Sequence, residues 1–514
     1  MRTGKSVLNG SWRNRNRNRH WASSLALLGF VGVGLIVVGS FVVASPMSQV
    51  ESRPKASHGV AAGDATTSSA VIWSRADRPS YMNVEILDQK VGVWRNAGSL
   101  WVDESTDLTG KIRVEGLSPG ENRYRVSFSL TREKAAGGPA TEGKVQIPLA
   151  SPNALKILWG ADLGGHGEVP PFPILETMSR EKADVFVFLG DTVYADTPPH
   201  YYTGNPNHCP TPAATLEEFR CKYKELRVDP NLQTLLKTQG TVAIWDDHEV
   251  RDNFEGPTDP LMPLGRRVFL EYWPICPPQE ESTRLYRSFR WGDIAEIFVL
   301  DTRTYRDPNR SSDSPTKTML GQAQLSWLTD SITASTADYK FVINSLPISI
   351  PILNPFARDG WANGPGLADL PLDPTGFEQE FRKIANLLES HENIYFLSAD
   401  AHYAHAISYD SNGDSSANFR EFVTGPLAAL RLGPQPLDPS FGPTSLYAEG
   451  PFYNYGVATV GPDGVTVEIK DETGSPHYSA TFADESPPRM LATESLLPPT
   501  TCHTARVQGL HGSS

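Results

Sequence analysis

Apolar and polar residues alternate along the first part of the chain that follows residue 56. The segments AVIWSR (70–75) and MNVEILD (82–88) show this alternation, and Tyr124, Val126 and Phe128 repeat it further along. A period of two residues is typical of strands that bury one face. The pattern therefore predicts an all-β N-terminal domain over residues 57–150.

The last strand of this domain follows a short turn. Leu117 precedes the pair Pro119-Gly120, and Tyr124 lies on the alternating strand that comes next. A leucine, a Pro-Gly turn and a tyrosine-bearing strand resemble the end of a fibronectin type III sandwich, including its tyrosine corner. The resemblance implies a fibronectin type III-like domain and indicates no particular ligand for it.

From about residue 154 the pattern changes to short apolar runs separated by polar, helix-like stretches. LKILWGAD, DVFVFLGD and NIYFLSADAH are examples of the runs, and residues 215–226 and 377–390 are the clearest helices. Such alternation favours an α/β fold whose sheet faces are covered. We expect this second domain to span residues 154–483, and the Pro/Ser/Thr-rich tail 484–514 to be disordered.

The N-terminus has the pattern of an export signal. A basic stretch at 13–20 precedes an apolar run at 25–43, and small residues near Ala44 are typical of a cleavage site. A run of about 20 residues also suffices to span a bilayer. Residues 1–45 are therefore a signal peptide or a membrane anchor. In either case the remaining chain is extracytoplasmic: secreted, periplasmic, or held at the outer face of a membrane through 25–43.

Charge and cysteine content agree with this location. The net charge of −13 over 514 residues argues against a nucleic acid as the specific partner, because such partners require a basic surface. The four cysteines fit an oxidising compartment. Cys209 and Cys221 are close enough in sequence to form a disulfide, whereas Cys276 and Cys502 would either pair or remain free.

Polar residues follow six of the apolar runs, where each predicted strand ends. They are Asp162, Asp191, Asp247 with His248, Asp301 with Arg303, Asn344, and Asp400 with His402. Ligands of α/β sheets bind beyond the carboxyl ends of the strands. Carboxylates gathered there would repel one another without a cation among them. The simpler alternative, that each aspartate only caps the helix after it, does not explain the histidines or Tyr194.

Three motifs make this pattern specific. GDTVY (190–194), WDDHE (245–249) and DAH (400–402) resemble the metal-binding motifs of the alkaline phosphatase D (PhoD-like) family, within the calcineurin-like metallophosphoesterase superfamily. HGVAAGDATTSSAVIWSR (58–75) and the segment 422–443 resemble that family too. The resemblance implies a metallophosphoesterase-type sandwich of mixed β-sheets flanked by helices.

The resemblance also implies a set of metal ligands. A first metal would take Asp162, Asp191, Tyr194 and His402, and a second would share Asp191 and add Asp247 and Asp400. Asn344 is a further candidate ligand. Members with a ferric site often have a cysteine at the position of Asp162, so this chain departs from their pattern.

The chemistry of these side chains narrows the choice of metals. Carboxylates and a phenolate are hard oxygen donors, which suit Fe³⁺, Ca²⁺, Mn²⁺ or Mg²⁺. The resemblance favours Fe³⁺ with Ca²⁺, and Zn²⁺ is a further alternative. Two such ions clamp a phosphoryl group and activate water as hydroxide. His248 is placed to protonate the leaving alkoxide or to donate a hydrogen bond to a phosphoryl oxygen. Arg303 either binds the phosphate with its planar fork or forms a structural ion pair.

The sequence therefore predicts an exported, metal-dependent phosphoester hydrolase that releases phosphate from organic phosphoesters. Phosphodiesterase or phospholipase D-type activity on cell-wall polymers or lipids is the alternative, because the family contains both activities. A non-catalytic surface-binding protein and a calcium-stabilised structural domain are less consistent with the complete set of aspartate, histidine and tyrosine side chains.

Overall fold

The computed structural model describes residues 53–132, 138–152, 154–164, 170–197, 209–352, 357–364, 374–461, 463–484 and 500–507. The predicted leader 1–45, with its apolar run 25–43, lies outside these residues. Across the described ranges, no helix is both long enough and apolar enough to cross a bilayer.

The N-terminal domain is all-β, as predicted. Its strands are β1 (Ala56–Gly63), β2 (Ser69–Ala76), β3 (Ser80–Asp88), β4 (Val93–Val102), β5 (Thr109–Glu115), β6 (Gly120–Ser129) and β7 (Thr141–Ile147). An antiparallel sheet in the order β4-β3-β6-β7 packs on β2 and its neighbours β1 and β5. Ile72, Val84 and Val126 are fully buried in the shared core, which explains the two-residue period in the sequence.

The predicted tyrosine corner is not formed. Tyr124 lies on β6 and is fully buried, but its hydroxyl has no hydrogen-bond partner among the described residues. A tyrosine corner requires a hydrogen bond from that hydroxyl to the backbone upstream. The resemblance to fibronectin type III therefore holds for the strand arrangement and not for this contact.

The second domain is built on two mixed sheets. Its strands are β8 (Leu155–Gly160), β9 (Val185–Phe188), β10 (Gly240–Ala243), β11 (Arg287–Trp291), β12 (Ala295–Val299), β13 (Tyr339–Ile343), β14 (Ile394–Ser398), β15 (Ala404–Tyr409), β16 (Phe419–Val423), β17 (Pro443–Glu449), β18 (Asn454–Gly461), β19 (Gly464–Asp471) and β20 (Pro476–Phe482). One sheet contains the order β20-β19-β18-β8-β9-β10, and the other has the order β11-β12-β13-β14-β16-β15-β17.

Each sheet has a parallel centre. In the first, β8, β9 and β10 are parallel, and β18 is antiparallel to β8. In the second, β12, β13, β14 and β16 are parallel. The inner faces pack together through a core that contains Phe186, Phe188, Ile297, Ile343 and Leu397. The carboxyl ends of seven parallel strands, three in one sheet and four in the other, are thereby available to one site.

Helices cover the outer faces of the sandwich. They are α1 (Pro173–Arg180), α2 (Leu216–Arg227), α3 (Pro230–Thr238), α4 (Met262–Tyr272), α5 (Gly321–Ala334) and α6 (Glu378–Leu388). The two helices predicted from sequence correspond to α2 and α6. A capping box of Thr215 and Glu218 begins α2, because each side chain accepts the backbone N–H of the other residue.

The two domains are joined by a continuous sheet. Strand β1 of the N-terminal sandwich lies parallel to β10 through the pair Gly63 and Thr241, so the first sheet extends into β1, β2 and β5. The boundary predicted near residue 150 separates the alternating pattern of the N-terminal domain from the short apolar runs of the second domain. The backbone pairing of β1 with β10 nevertheless joins the two domains.

The prediction of a disordered tail is wrong for residues 500–507. Strand β21 (His503–Arg506) pairs in parallel with β5, and Val507 is buried. A disulfide joins Cys502 to Cys276, and a second joins Cys209 to Cys221. The first of these disulfides attaches the end of the chain to the segment after α4, which a reading of local pattern could not reveal.

Candidate metal centre

The predicted ligands lie on loops that leave the parallel strands. Asp162 follows β8, Asp191 follows β9, Asp247 follows β10 and Asp400 follows β14. Asp162, Asp191 and Asp247 are buried, and Asp400 is half-buried. The first two loops are joined by a hydrogen bond of 3.0 Å from the Leu163 N–H to the Asp191 carbonyl oxygen.

The structure brings these side chains into three overlapping groups whose ligand atoms lie within 4.8 Å of one another. The groups are Asp162, Asp191 and His402; Asp191, Asp247 and His248; and Asp246, Asp247 and Asp400. Two ligands that are each about 2.0–2.6 Å from one ion are separated by roughly 3–5 Å. The spacing therefore suits bound cations, and Asp191 belongs to two of the groups.

Four of the predicted ligands have a left-handed backbone. The φ angles are 59° at Asp162, 49° at Asp191, 63° at Asp400 and 60° at His402. Non-glycine residues seldom adopt this conformation, which is tolerated where the surrounding structure and function require it. Next to Asp191, Gly190 has φ 106°, and a Cβ there would lie 2.6 Å from the Cβ of Asp246. Glycine allows the two ligand loops to approach each other.

Several oxygen atoms of the site have no hydrogen-bond partner of good geometry among the described residues. They are Oδ2 of Asp162, Asp191, Asp246 and Asp400, Oδ1 of Asp247, and Oη of Tyr194. Buried polar atoms are normally satisfied, so a group of unpaired oxygens facing one another indicates a cation site. The donor set and the orphaned atoms fit a binuclear centre with oxygen ligands.

Electrostatics support the same interpretation. Burial raises the pKa values of Asp162, Asp191 and Asp400 well above that of an ordinary aspartate. The charges of neighbouring carboxylates raise these pKa values further. Burial also opposes ionisation of Asp247, but the charges of His248 and Arg303 outweigh it and hold that pKa low. So many adjacent carboxylates remain ionised together only when cations compensate them.

His402 is oriented by the backbone. Its Nδ1 lies within hydrogen-bond distance of the Leu430 carbonyl oxygen, and its Nε2 is 3.9 Å from Oδ1 of Asp162. A carbonyl can only accept, so Nδ1 carries the proton and Nε2 presents its lone pair to the metal centre. Burial lowers the pKa of His402 to about 4, which keeps the imidazole neutral and able to bind a metal.

His248 is oriented by a carboxylate. Its Nδ1 is 2.8 Å from Oδ1 of Asp196, and its Nε2 is 4.0 Å from Oδ2 of Asp191. Burial alone would lower the pKa of His248, but the negative charge of Asp247 and the hydrogen bond to Asp196 raise it to about 10. The ring also stacks on Tyr194, with centroids 4.2 Å apart.

Tyr194 lies within the same cluster. Its phenol is nearly fully buried, and burial together with the charge of Asp191 raises its pKa well above the usual value. A phenol in this environment loses its proton only to a strongly charged cation. Tyr194 thus lies near the Asp162 and Asp191 carboxylates, and its role as a metal ligand stays a prediction.

Two further residues support the ligand loops and were not identified from sequence. Asp196 orients His248, and its other oxygen accepts the Asp252 N–H at 2.5 Å. Glu249 accepts from the Thr192 N–H at 2.6 Å and from the Asp246 N–H at 2.9 Å. Both residues lie inside or beside the quoted motifs, but their hydrogen bonds join segments more than 50 residues apart.

The structure shows the ion pairs of Arg303. Its guanidinium is fully buried, 2.6 Å from Asp246 and 2.8 Å from Asp359, and it lies 3.7 Å from Asp247. Of the two roles predicted, the structural ion pair is observed. The contact with a phosphate stays a prediction.

The remaining strand ends serve the fold. Asp301 accepts hydrogen bonds from Trp245 Nε1 at 3.0 Å and from the Thr304 N–H at 2.9 Å, so it caps the turn that follows β12. The amide of Asn344 donates to the Leu346 carbonyl oxygen and accepts from Trp361 Nε1 at 3.4 Å. Both ends of the Asn344 side chain are thus engaged, and its role as a ligand stays a prediction.

Comparison with known proteins agrees with the fold and the site. The family model of the PhoD-like phosphatase matches residues 163–462, and that of the PhoD-like phosphatase N-terminal domain matches residues 42–141. Alkaline phosphatase D of Bacillus subtilis (strain 168) is 26% identical over 416 residues, which cover 71% of this chain and 68% of that protein.

Solved structures share the same arrangement of sheets. A structure of PhoD superposes with a TM-score of 0.67 at 20% identity, covering 90% of this chain and 96% of the other. Purple acid phosphatase PPD1 from yellow lupin (Lupinus luteus) seeds gives a TM-score of 0.58 at 12% identity, covering 86% and 77%.

The two mixed sheets, with an acidic and histidine-bearing cluster at the carboxyl ends of their strands, define a metal-dependent phosphoester hydrolase. Within that class the chain belongs to the PhoD-like phosphatase family, whose model spans more than half of its length. The family resemblance, the fold class and the enzyme class predicted from the sequence are confirmed.

Proposed function

We propose that the protein is an exported phosphohydrolase that binds two metal ions at this centre. Asp162, Asp191, Tyr194 and His402 would hold the first ion. Asp191, Asp247 and Asp400 would hold the second. The position of Asp191 carries the proposal, because its carboxylate belongs to the group with Asp162 and His402 and also to the group with Asp247 and His248.

The surrounding side chains have separate tasks. Two bound cations would lower the pKa of a water molecule and neutralise charge that develops on the phosphoryl oxygens. Asp196 holds the imidazole of His248 so that its second nitrogen faces Asp191. His248 is thereby placed to give a proton to the leaving alkoxide, or to donate a hydrogen bond to a phosphoryl oxygen.

The proposed metals follow from the donor atoms. Four carboxylates and a phenol are hard oxygen ligands, and His402 is the one nitrogen donor assigned to the pair. This set favours Fe³⁺ beside Tyr194 with Ca²⁺ as the second ion, and Mn²⁺, Mg²⁺ or Zn²⁺ are the alternatives. A ferric ion bound by Tyr194 would give the purified protein a visible charge-transfer colour that Tyr194→Phe removes.

Export is proposed from the basic and apolar segments of the N-terminus. The disulfides Cys209–Cys221 and Cys276–Cys502 support it, since such bonds persist in oxidising compartments. Residues 25–43 would either be cleaved off or hold the protein at the outer face of a membrane. Detection of the N-terminal residue of the protein purified from its native cells distinguishes these two forms.

The test is hydrolysis of a monoester and a diester by the same preparation, before and after removal of metal. We expect p-nitrophenyl phosphate or bis-p-nitrophenyl phosphate to be cleaved, and the activity to be lost with the metal and restored on its return. The ratio of the two rates decides between phosphatase and phosphodiesterase as the main activity. Unchanged rates in protein shown by elemental analysis to be metal-free would contradict the two-metal proposal.

A further inference from the structure

One segment singled out in the sequence supplies none of the predicted ligands of the centre described above. Residues 422–443 leave β16 and pass beside the metal ligands, and within them Leu430, Arg431 and Leu432 are exposed. Leu430 is 51% and Leu432 40% exposed. We call Leu430–Leu432 the leucine lip.

The lip is held in place despite this exposure. The Leu432 N–H donates to the His402 carbonyl oxygen at 2.9 Å, and the Gln435 N–H donates to the Tyr403 hydroxyl at 3.0 Å. A Cβ at Gly450 would lie 2.2 Å from the Leu432 carbonyl oxygen, so glycine is required there for close backbone contact. A fixed backbone that presents two leucine side chains to solvent is a feature of binding surfaces.

The lip is also next to the metal centre. One nitrogen of the His402 imidazole is bonded to the Leu430 carbonyl oxygen, and the other faces Asp162 at 3.9 Å. A single imidazole ring therefore separates the lip from the first proposed metal position.

The charge of the lip suits an anionic ligand. The guanidinium of Arg431 lies 4.6 Å from the ring centroid of Tyr453, and within the described residues it forms no ion pair with a carboxylate. The segment thus presents one positive charge between two apolar side chains. This combination is complementary to a molecule with an anionic phosphoryl group and an apolar arm.

From these observations we propose that the leucine lip is a subsite for the apolar organic arm of the phosphoester substrate. The inference rests on the proposed function, because it assumes that the phosphoryl group binds at the metal centre. It goes further in naming the substrate class: phosphoesters whose organic group next to phosphorus is apolar, in preference to small or strongly hydrophilic esters.

The test uses alkylphosphonates, which carry an anionic phosphoryl group and an alkyl arm but no ester bond. Dissociation constants of methyl-, butyl- and hexylphosphonate are measured by calorimetry on the metal-loaded protein. Half-burial of the arm gives about a twofold gain per methylene, so hexylphosphonate should bind roughly 30-fold more tightly than methylphosphonate.

Three variants define the origin of this gain. Leu430→Ser/Leu432→Ser should reduce the ratio of dissociation constants to about threefold or less while methylphosphonate binds as in the wild type. Leu430→Met/Leu432→Met keeps the apolar surface and should retain most of the ratio. Leu149→Ser removes an exposed leucine of the N-terminal domain, 47% exposed, and should leave the ratio unchanged.

Several outcomes would overturn the proposal. No dependence on chain length in the wild type, or full dependence in the serine variant, would exclude a subsite at the lip. Equal weakening of methyl- and hexylphosphonate would show that the lip only positions His402. A serine variant that loses binding to lipid vesicles, but keeps its chain-length dependence, would make the lip a membrane contact. Failure of methylphosphonate itself to bind the metal-loaded wild type would instead refute the phosphoryl site.

Discussion

His248 and Asp196 form a half-buried pair in which the carboxylate accepts a hydrogen bond of 2.8 Å from Nδ1 of the imidazole. The pair joins the loop after β9 to the loop after β10, which are 52 residues apart in sequence. Because the hydrogen bond fixes the ring, the second nitrogen faces Asp191 and the metal centre. Asp196 is therefore a positioning residue that acts through His248.

The first prediction concerns this pair. His248→Ala should lower kcat by about 10²–10⁴-fold, the range for loss of a general acid. Asp196→Asn should lower kcat by roughly 10–100-fold, because the neutral amide keeps one acceptor oxygen for two donors, the ring and the Asp252 N–H. Metal content should remain unchanged in both variants. Steady-state kinetics and elemental analysis provide the measurements.

The double variant is the control. If Asp196 acts only through His248, adding Asp196→Asn to His248→Ala should cost little further activity. Independent, multiplicative losses would show that Asp196 has another role. Unchanged turnover in His248→Ala would remove the assignment of His248 as the proton donor.

The second prediction concerns Glu249, which accepts backbone N–H groups from the loops of Asp191 and Asp247. Glu249→Gln keeps one acceptor and Glu249→Ala keeps none, so metal content should fall in that order. Each lost acceptor leaves a buried N–H unsatisfied, which costs about 1–3 kcal/mol of unfolding free energy. Elemental analysis and denaturant unfolding measure the two effects.

A matched control exists on α6. Glu380 is also buried, and it accepts the Met319 and Leu320 N–H groups at 2.9 Å on another part of the fold. Glu380→Gln should destabilise the protein to a similar extent without loss of metal. Equal metal content in the Glu249 and Glu380 variants would refute the positioning role of Glu249.

The site residues that could be predicted from sequence are those that directly follow an apolar run, because the run marks the end of a strand. Asp162, Asp191 and Asp400 each end an apolar run, and parallel strands bring such ends together. The same reasoning could not separate Asp301, which caps a turn, from the ligands. Asp301 follows its strand in the same way as the predicted ligands follow theirs. Only its hydrogen bonds with Trp245 and Thr304 distinguish Asp301 from them.

Long-range partners account for the rest. The ion pairs of Arg303 involve Asp246 and Asp359, each more than 50 residues away, so the sequence alone does not choose between an ion pair and a phosphate contact. The short strand His503–Arg506 has no apolar alternation, and the edge of β5 and the disulfide to Cys276 hold it in place. Neither feature leaves a local signal in the sequence.

The third prediction follows from the crowding of carboxylates. Asp191→Asn should lose both activity and metal, because Asp191 is the proposed shared ligand. In metal-free protein the same variant should be more stable than the wild type by roughly 1–3 kcal/mol, since the neutral amide avoids the cost of ionising or protonating a carboxyl group among buried carboxylates. Thermal unfolding of both proteins with and without chelator measures their relative stability in the metal-loaded and metal-free forms.

Asp301→Asn serves as the comparison for that experiment. It alters a buried aspartate at a strand end that caps a turn, so it should keep its metal and be destabilised in both forms. Retention of two metal ions by Asp191→Asn would contradict the shared-ligand assignment. A metal-free Asp191→Asn protein that is less stable than metal-free wild type would contradict the electrostatic argument.

The fourth prediction is a pH dependence of stability from Glu421. This fully buried side chain accepts from the Ile348 N–H at 2.9 Å, the Ser398 hydroxyl at 2.6 Å and the Tyr409 hydroxyl at 2.6 Å. Burial raises its pKa from 4.5 to about 7. The folded protein therefore binds a proton between these values that the unfolded chain has released. Its contribution to stability is complete below about pH 4.5 and is lost as the pH rises through 7.

Glu421→Gln isolates this contribution, because glutamine resembles the protonated acid and does not titrate. The unfolding free energy of the wild type relative to Glu421→Gln should fall by about 3 kcal/mol between pH 4.5 and 8. Denaturant unfolding at a series of pH values gives the difference. Parallel stability curves for the two proteins would show that Glu421 is ionised, or protonated, in both states throughout this range.

The last prediction compares the two disulfides. Cys276 and Cys502 are 226 residues apart, whereas Cys209 and Cys221 are 12 apart. In the chain-entropy description a cross-link stabilises by restricting the unfolded chain, by about 5 kcal/mol for the longer loop and about 3 kcal/mol for the shorter one. Cys276→Ser/Cys502→Ser should therefore be the more destabilised protein in denaturant unfolding. Hydrogen exchange should also increase at Ile112–Glu115, which pair with His503–Arg506. In Cys209→Ser/Cys221→Ser this strand pair should stay protected, and equal exchange in the two variants would show that β21 remains docked without its disulfide.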